Sequence, residues 1–427
     1  MLIAALTVEP HPAMVAPFVV LLLAIALMPF VHKHHWENHY PKIAIGLGLV
    51  VVAYYVFALH NAPRILASMV EYTGFIAMIG SLYIIAGGIH INITGRATPA
   101  VNTGLLALGA VLANLIGTTG ASMLLIRPFL RINKDRVAPF HVVFFVFIVS
   151  NIGGALTPIG DPPLFLGYLK GVPFFWLTRV PVVFLSWLVC VGVLLAVFFV
   201  LDRRNQTGAK EPPTQNRIEV EGSHNFLWLL AVVALVLLQN RIGQMTTAAL
   251  MIVVACLAYR FSNKNALREN EFRFAPVKEV GFLFAGIFAT MVPALDLLEQ
   301  HAATVGLTTP QQFFWGSGVL SSFLDNAPTY LSFLTAAFGL HRLSLENPVH
   351  LGQFLADPVK WKYLVAVSLG SVFFGAMTYV GNAPNFMVKS IAESCGVKCP
   401  SFFGYIFRYS LPILLPLFAL VGWLFLR

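Results

Sequence analysis

Twelve apolar segments dominate the chain, and their length constrains the fold more than any other feature. Each is on the order of 20 residues long, enough for a helix to cross the hydrocarbon core of a bilayer. Backbone N–H and C=O groups must be paired internally in lipid, so such segments fold as helices. The segments are residues 13–31, 43–59, 72–91, 101–126, 137–169, 180–201, 225–240, 242–259, 280–298, 313–340, 363–388 and 404–426.

The composition supports a membrane protein over a soluble one. Of the 427 residues, 58% are apolar and 11% are charged, whereas roughly 25% charged residues are usual in soluble domains. A soluble fold of this composition would expose large apolar patches. The net charge of +9 comes from Lys and Arg in short loops, a pattern typical of cytoplasmic loops rather than of nucleic-acid binding. We therefore expect an all-α polytopic protein whose main partner is the lipid bilayer.

Four of the apolar segments are interrupted. Residues 101–126 and 313–340 contain polar and small residues, and residues 137–169 and 363–388 are broken by Gly and Pro. A helix broken at bilayer depth leaves unpaired backbone groups, which are tolerated only in a cavity or buried in protein. The ends of half-helices also direct partial charges at the break, which suits ion binding. We expect the four segments to converge on one site.

The two halves of the chain repeat each other. Residues Gly154–Pro163 and Gly375–Pro384 share the pattern G-A-x-T-x-x-G-[D/N]-x-P at an offset of 221 residues. Two more blocks align in the same order at offsets of 207 and 208 residues: Glu71–Phe75 with Lys278–Phe282, and Asn114–Gly120 with Ser322–Pro328. The alternative is that small residues simply recur in packed membrane helices. Repeated, interrupted segments are typical of secondary transporters.

This pattern predicts three parts of the chain. Residues 1–201 form a first inverted repeat, with a re-entrant hairpin at 101–126 and an unwound helix at 137–169. Residues 202–224, the longest polar stretch, read as a solvated linker. Residues 225–427 form the second repeat, with the hairpin at 313–340 and the unwound helix at 363–388. We expect about 10 crossings plus two hairpins.

Charge supports this topology without excluding its rival. With two hairpins, one side of the membrane carries 19 of the 27 Lys and Arg. That side, including the linker, is expected to face the cytoplasm of a bacterial-type plasma membrane, with both termini outside. The rival topology of twelve simple crossings places 18 Lys and Arg on one side and 9 on the other, with both termini inside. The hairpin topology is preferred because Gly and Pro near Asn114–Gly120 and Asp325–Pro328 would disrupt continuous helices.

Two carboxylates, Asp161 and Asp325, lie at the interruptions themselves. A carboxylate at membrane depth is costly and marks a functional site by default. Such a group can bind H⁺ and Na⁺ in turn, which is what a cation/proton antiporter requires. The alternative, which can coexist with this one, is that each Asp caps the half-helix that follows it. The four interrupted segments contain no Lys or Arg, and this favours a cation over an anion.

Neutral oxygen-bearing side chains surround the two acids. Hard cations prefer oxygen ligands, and the Na⁺ site candidates are Asp161, Asp325, Asn326 and Asn382. Further candidate ion- or substrate-binding residues are Asn114, Thr118, Thr119, Asn151, Thr157, Thr329, Thr378 and Asn385. For any one of them, ordinary helix–helix hydrogen bonding is the alternative. The cluster as a whole indicates a binding site.

Other polar residues are expected to be structural. Glu71 and Asp296 sit at predicted span ends and should be interfacial, and His90 should be a packing or interfacial residue. The His-rich stretch 32–39 reads as a solvated cytoplasmic loop, with pH sensing or metal binding as the alternative.

At Ser150–Pro163 and Leu324–Thr329 the sequence resembles the ion transporter superfamily of NhaD-type sodium/proton antiporters, arsenite carriers and citrate or dicarboxylate carriers. It looks most similar to the branch of sodium/proton antiporters or citrate transporters. The resemblance implies inverted repeats, a homodimer and elevator-like alternating access. It also implies hairpin tips at Asn114–Gly120 and Asp325–Thr329, and helix breaks at Thr157–Pro163 and Thr378–Asn385. The tips here differ from the Ser-Asn-Thr of the dicarboxylate carriers.

These observations favour a sodium/proton antiporter with Asp161 and Asp325 as the exchanging acids. The alternative is a Na⁺- or H⁺-coupled carrier of an organic anion, such as citrate or a dicarboxylate, or of arsenite. An enzyme is not expected, since neither His-Glu-x-x-His nor Gly-x-Ser-x-Gly occurs. No cofactor is expected beyond Na⁺ and H⁺ as transported or coupling ions.

Overall fold

The computed structural model describes residues 9–94, 97–205, 217–302 and 306–426, most of which are helical. The helices are α1 Ala16–Val31, α2 Lys33–Ala53, α3 Ala62–Gly87, α4 Pro99–Ile132, α5 Pro139–Ile148, α6 Pro162–Leu169, α7 Trp176–Arg179, α8 Pro181–Arg204, α9 Asn225–Ile242, α10 Gln244–Phe261, α11 Lys264–Glu269, α12 Ala275–Thr290, α13 Val292–His301, α14 Pro310–Ser321, α15 Asn326–Leu340, α16 Pro348–Ala356, α17 Trp361–Phe374, α18 Ala383–Ser394, α19 Phe402–Tyr405 and α20 Leu415–Phe425. Strands β1 (His90–Thr94) and β2 (Arg217–Glu221) pair antiparallel.

The described helices confirm the all-α polytopic membrane fold. Eight helical spans are long and apolar enough to cross a bilayer, and α12 with α13, bent by 41°, makes a ninth. The eight include Pro12–Pro29, which is α1 with the turn before it, and Phe402–Phe425, in which a π-helical stretch joins α19 to α20. One of the eight, α4, is folded back on itself. The segments α5–α6 and α17–α18 consist of shorter helices separated by non-helical residues. If each of these two segments crosses once and α4 does not, the described part of the chain makes ten crossings.

Helix α4 is a hairpin centred on Gly117. This residue has φ of +80° and ψ of 154°, a conformation that interrupts the helix and that glycine adopts without strain. Asn102 and Asn133 exchange reciprocal side-chain hydrogen bonds of 2.8 and 2.9 Å. In a straight helix these two residues would be about 46 Å apart. The two legs therefore lie side by side, with the amide pair at the base.

The second hairpin, α14 and α15, points towards the first from the opposite end of the molecule. The base of the first hairpin is bonded to Asp202 in the last turn of α8, through Asn102. The other end of α8 follows the segment that contains Lys170, whose ammonium pairs with Glu346 just beyond the second hairpin. Because α8 is about 36 Å long, the hairpin bases lie at opposite ends and the tips meet between them.

Two sequence expectations about polar residues are wrong. The His-rich stretch is not a loop, since α2 begins at Lys33 and the rings of His35 and His39 stack at 4.3 Å. Helix α3 begins ten residues before the predicted apolar segment, so Glu71 lies inside the helix and is buried. A helix can continue through polar residues when other groups of the protein hydrogen-bond to their side chains. A hydropathy pattern contains no information about those partners.

The linker assignment also needs revision. Asp202 belongs to α8 and is fully buried, and residues 217–221 form β2 rather than a solvated coil. Residues 206–216 lie outside the described residues. His90 packs as expected, buried beside Asn270 at 2.9 Å.

The buried carboxylate of Asp202 holds the base of the first hairpin. It accepts hydrogen bonds from Arg136 at 2.5 Å, from His141 at 3.0 Å and from Asn102 at 2.8 Å. These partners come from the loop after α4, from α5 and from the first leg of α4. A buried ion is stable only when it is paired and hydrogen-bonded in this way.

We expect Asp202→Ala to lower the thermal unfolding midpoint of the purified protein strongly, because Arg136 would remain buried without its counter-ion. Loss of one partner of a buried pair costs about 3–5 kcal/mol. Glu393→Ala is the control, since Glu393 pairs with Lys389 at 2.8 Å on an exposed helix face and such pairs contribute little. Equal midpoints for the two variants would contradict this account.

Candidate functional site

The four interrupted segments meet at the carboxylate of Asp161. This residue directly precedes α6 and is fully buried. Its Oδ1 accepts hydrogen bonds of 2.9 Å from the Thr118 hydroxyl and of 2.9 Å from the Asn382 amide. Its Oδ2 accepts one of 2.5 Å from the Asn326 amide. Thr118 lies at the first hairpin tip, Asn326 at the second and Asn382 at the break before α18.

The contacts at Asp161 follow the internal repeat. Thr118 and Asn326 are equivalent at the offset of 208 residues, and Asp161 and Asn382 at the offset of 221. Both hairpin tips therefore donate to the same carboxylate. The break of the first repeat supplies the acid, and the equivalent residue of the second repeat supplies an amide that binds it.

The Asp161 side chain does not cap α6. It makes no hydrogen bond to the N–H groups of that helix, although Pro162 and Pro163 stand at the helix start. The capping alternative is therefore wrong for Asp161. It is correct for Asp325, whose Oδ1 accepts a hydrogen bond of 3.0 Å from the backbone N–H of Ala327 at the start of α15.

The Thr of the repeated motif ties each break to its hairpin. The Thr157 hydroxyl donates to the Asn114 carbonyl at 2.6 Å and accepts from the Gly160 N–H at 3.1 Å. Thr378 makes the same pair of bonds, to the Ser322 carbonyl and from the backbone N–H three residues later. The equivalent contacts explain why the threonine recurs in both halves.

The two glycines of the motif allow the broken segment to close on itself. A Cβ on Gly160 would overlap the carbonyl oxygen of Gly154, and a Cβ on Gly154 would lie 2.6 Å from the carbonyl oxygen of Gly160. In the second repeat, a Cβ on Gly381 would lie 2.7 Å from the carbonyl oxygen of Gly375, whereas a Cβ on Gly375 would lie at an ordinary 3.5 Å from that of Gly381.

A layer of amides joins the two breaks behind Asp161. The Asn151 amide donates to Asn385 Oδ1 at 2.7 Å, and the Asn382 amide approaches Asn151 Oδ1 at 3.2 Å. Asn385 in turn donates to the carbonyls of Gly375 and Thr378 at 2.8 and 2.9 Å. All three asparagines are buried. Because their bonds cross between repeats, they fix the two breaks relative to each other.

One buried oxygen beside Asp161 has no partner. Asn326 Oδ1 is buried without a hydrogen bond in the described part of the chain. An unpaired buried carbonyl-type oxygen is costly unless it meets a donor or a cation. Among the described residues, no Lys, Arg or His lies within ion-pair distance of Asp161 or Asp325. The site thus offers oxygen atoms and a carboxylate without a protein cation.

Asp325 lies beside the site rather than on the carboxylate of Asp161. Among the described contacts it makes no hydrogen bond to Asp161. With Thr119 and Asn382 it lines a cavity of about 90 Å³ whose other walls are mostly apolar residues of α3 and α12. The Thr329 hydroxyl donates to the Asp325 carbonyl at 2.9 Å, within its own helix. Thr329 therefore supports the hairpin and does not face the carboxylate.

Sequence reasoning missed an ion-pair network elsewhere in the molecule. Lys170, just after α6, pairs with Glu71 at 2.7 Å and Glu346 at 2.5 Å, and Arg64 pairs with Asp296 at 2.9 Å and Glu346 at 3.3 Å. Glu71 and Asp296 thus have paired cations within the protein, which the sequence did not predict, and their interfacial position stays a prediction. The one available signal was Lys170, a cation at the end of a broken segment.

The loop residue Glu346 joins the two cations of this network. Burial by itself would raise the pKa of Glu346, but Lys170 and Arg64 outweigh this effect and lower the pKa to about 2. The carboxylate therefore stays charged at neutral pH and links α6 to α3.

We expect Gly160→Ala to disrupt the broken segment, because its methyl group would collide with backbone rather than with a flexible side chain. Overpacking of this kind costs about 1–3 kcal/mol or more. The measurement is the yield and thermal midpoint of monodisperse protein. Gly104→Ala is the matched control, since a Cβ there meets nothing within 4 Å and should be neutral or slightly stabilising. A Gly160→Ala protein as stable as the control would refute the packing argument.

Comparison with known proteins agrees with this architecture. The family model described as "Putative citrate transport" matches residues 8–426. The chain is 28% identical over 327 residues, 68% of each chain, to the "46 kDa membrane protein" of Mycobacterium leprae (strain TN). It is 29% identical over 116 residues, 26% of this chain and 19% of the relative, to "Na(+)/dicarboxylate cotransporter 3" of Rattus norvegicus. The chain belongs to this citrate transport family, and the protein is a multi-pass secondary transporter.

Proposed function

We propose that this transporter exchanges Na⁺ for H⁺, with Asp161 as the group that binds the two ions in turn. The observation that carries the proposal is the environment of Asp161: complete burial, three neutral donors and no protein cation among the described residues. An ionised carboxylate in such a place is costly unless a positive charge accompanies it. Either a proton or a metal cation can supply that charge.

Competition for one carboxylate is enough to couple the two fluxes. When H⁺ binds Asp161, the site is neutral and Na⁺ has no charge to bind. When Na⁺ binds, the carboxylate together with Asn326 Oδ1 supplies oxygen ligands, and the proton has left. If the site reorients only when it is occupied, each cycle moves one ion in each direction.

Asp325 is the second acid of the proposal. It lines the 90 Å³ cavity together with Asn382, whose amide donates to Asp161, and we infer that an ion approaches Asp161 through this cavity. A carboxylate there raises the local cation concentration. Its helix-capping bond to Ala327 uses only Oδ1, and Oδ2 remains available to an ion.

The size of the cavity also favours a small ion. Pockets for organic ligands usually enclose about 300–1,000 Å³, whereas the cavity beside Asp325 and Asn382 encloses about 90 Å³. A citrate or dicarboxylate would also lie beside two acids without a cationic side chain to pair with, which is electrostatically unfavourable.

We expect Asp161→Asn to abolish antiport, because an amide cannot release a proton or neutralise a cation. In everted membrane vesicles with a respiration-driven pH gradient, Na⁺ should dissipate the gradient for the unaltered protein and not for this variant. Asp325→Asn should reduce the rate at which Na⁺ dissipates the pH gradient. Asp135→Asn, which alters an exposed loop carboxylate, should leave it unchanged. Full Na⁺-induced dissipation in the Asp161→Asn/Asp325→Asn double variant would falsify the proposal.

The second candidate is a cation-coupled carrier of an organic anion. It is favoured by the description of the family and by the rat relative, a Na⁺/dicarboxylate cotransporter. We expect proteoliposomes to take up no labelled citrate or succinate beyond the level of empty liposomes. Na⁺-dependent uptake of either, with no proton release on Na⁺ addition, would replace antiport by this function. Uptake of arsenite is measured in the same proteoliposome assay.

The homodimer, the plasma membrane location and the cytoplasmic side of residues 202–224 stay predictions. They are supported by the family resemblance and by the distribution of Lys and Arg.

A further inference from the structure

An apolar cavity of about 620 Å³ separates α1 and α13 from the second hairpin. Its walls include Phe18 and Leu22 of α1, Leu298 of α13, and Leu324 and Phe333 of the hairpin. It is far larger than the cavity beside Asp325 and plays no part in the ion site. Its size and position require an occupant.

The described walls offer little to water. Among the described lining residues, the only polar side chains are Ser332 and His301. The Ser332 hydroxyl already donates to the Pro328 carbonyl at 2.9 Å, and His301, in the last turn of α13, lies 3.5 Å from Glu9. Water enters a cavity only where several polar partners are free. The occupant must therefore be apolar.

The length of the cavity matches one leaflet of the bilayer. Along α1 it extends from Val15 to Leu23, about 12 Å of helix, and half of a hydrocarbon core is about 15 Å. One end lies at His301, where α13 ends, and the other at Leu324, beside the hairpin tip. The cavity thus runs from the C-terminal end of α13 towards the level of the candidate ion site.

The cavity is continuous with the lipid-facing surface. Its lining residues Val19, Leu23 and Leu320 are 46%, 48% and 42% exposed, and Leu27, one turn further along α1, is 55% exposed. In a membrane these side chains contact hydrocarbon. The volume is about four times the ~150 Å³ of a cavity that holds one benzene molecule. We propose that the acyl chain of a membrane phospholipid occupies this cavity.

An acyl chain there would contact the second hairpin next to its functional tip. Leu324 faces the cavity, while the following residues, Asp325 and Asn326, face the ion site. The acyl chain fills the space between the hairpin and helices α1 and α13, so it stabilises the arrangement of these elements in this structure. Any influence of the acyl chain on transport rests on the proposed alternating-access function, whereas its presence in the cavity does not.

The test is photo-crosslinking in proteoliposomes that contain a phosphatidylcholine with a diazirine in the middle of one acyl chain. We expect adducts to concentrate on peptides from α1, α13 and α15. Ser332→Phe places a ring in the cavity and should reduce these adducts severalfold. Leu27→Phe, an equally bulky change on the lipid-facing surface outside the cavity, should leave them unchanged.

Leu22→Trp is a second cavity-filling variant, and each variant is measured only as monodisperse protein. Adducts spread evenly over the lipid-facing helices, or adducts on α1, α13 and α15 that neither filling variant reduces, would overturn the proposal. Crosslinking is read without any transport measurement. Failure of this inference and failure of Na⁺/H⁺ exchange are therefore distinguishable.

Discussion

The hydrogen bonds to the buried carboxylate of Asp161 are the constraint on which the rest of the structure depends. A carboxylate surrounded by protein needs donors from several directions, and one chain segment cannot supply them. Thr118, Asn326 and Asn382 do so from three other segments. The hairpins must enter from opposite ends and the helices must break at the same depth for these donors to arrive. The architecture is thus the means of surrounding one acid with neutral dipoles.

Other buried charges in the protein differ from Asp161 because they have oppositely charged partners. Asp202 is fully buried but is bound by Arg136 and His141, and Lys170 is bound by two glutamates. These groups are neutralised within the protein and hold elements together. Asp161 has no such partner among the described residues, and the proposed cation site rests on this missing counter-charge.

The apolar cavity adds a second, independent surface next to the same hairpin. The tip of the second hairpin has one face towards the ion site and one towards hydrocarbon, with Leu324 and Asp325 adjacent in sequence. If an acyl chain occupies the apolar cavity as proposed, it contacts Leu324, one residue away from Asp325.

Much of this protein was determined by the sequence alone. Apolar segment length fixes helices, because backbone groups in lipid have no other partners. The repeated G-A-x-T-x-x-G pattern identified the breaks, since Thr157 and Gly160 act locally within a few residues. Tertiary structure decided everything that depends on contacts between distant residues: that Asp161 accepts hydrogen bonds from both hairpin tips and does not cap α6, that Asp325 caps α15, and that Glu71 is paired inside the protein. Burial and partners are properties of the packed chain, and neither hydropathy nor spacing encodes which charge will find a counter-charge.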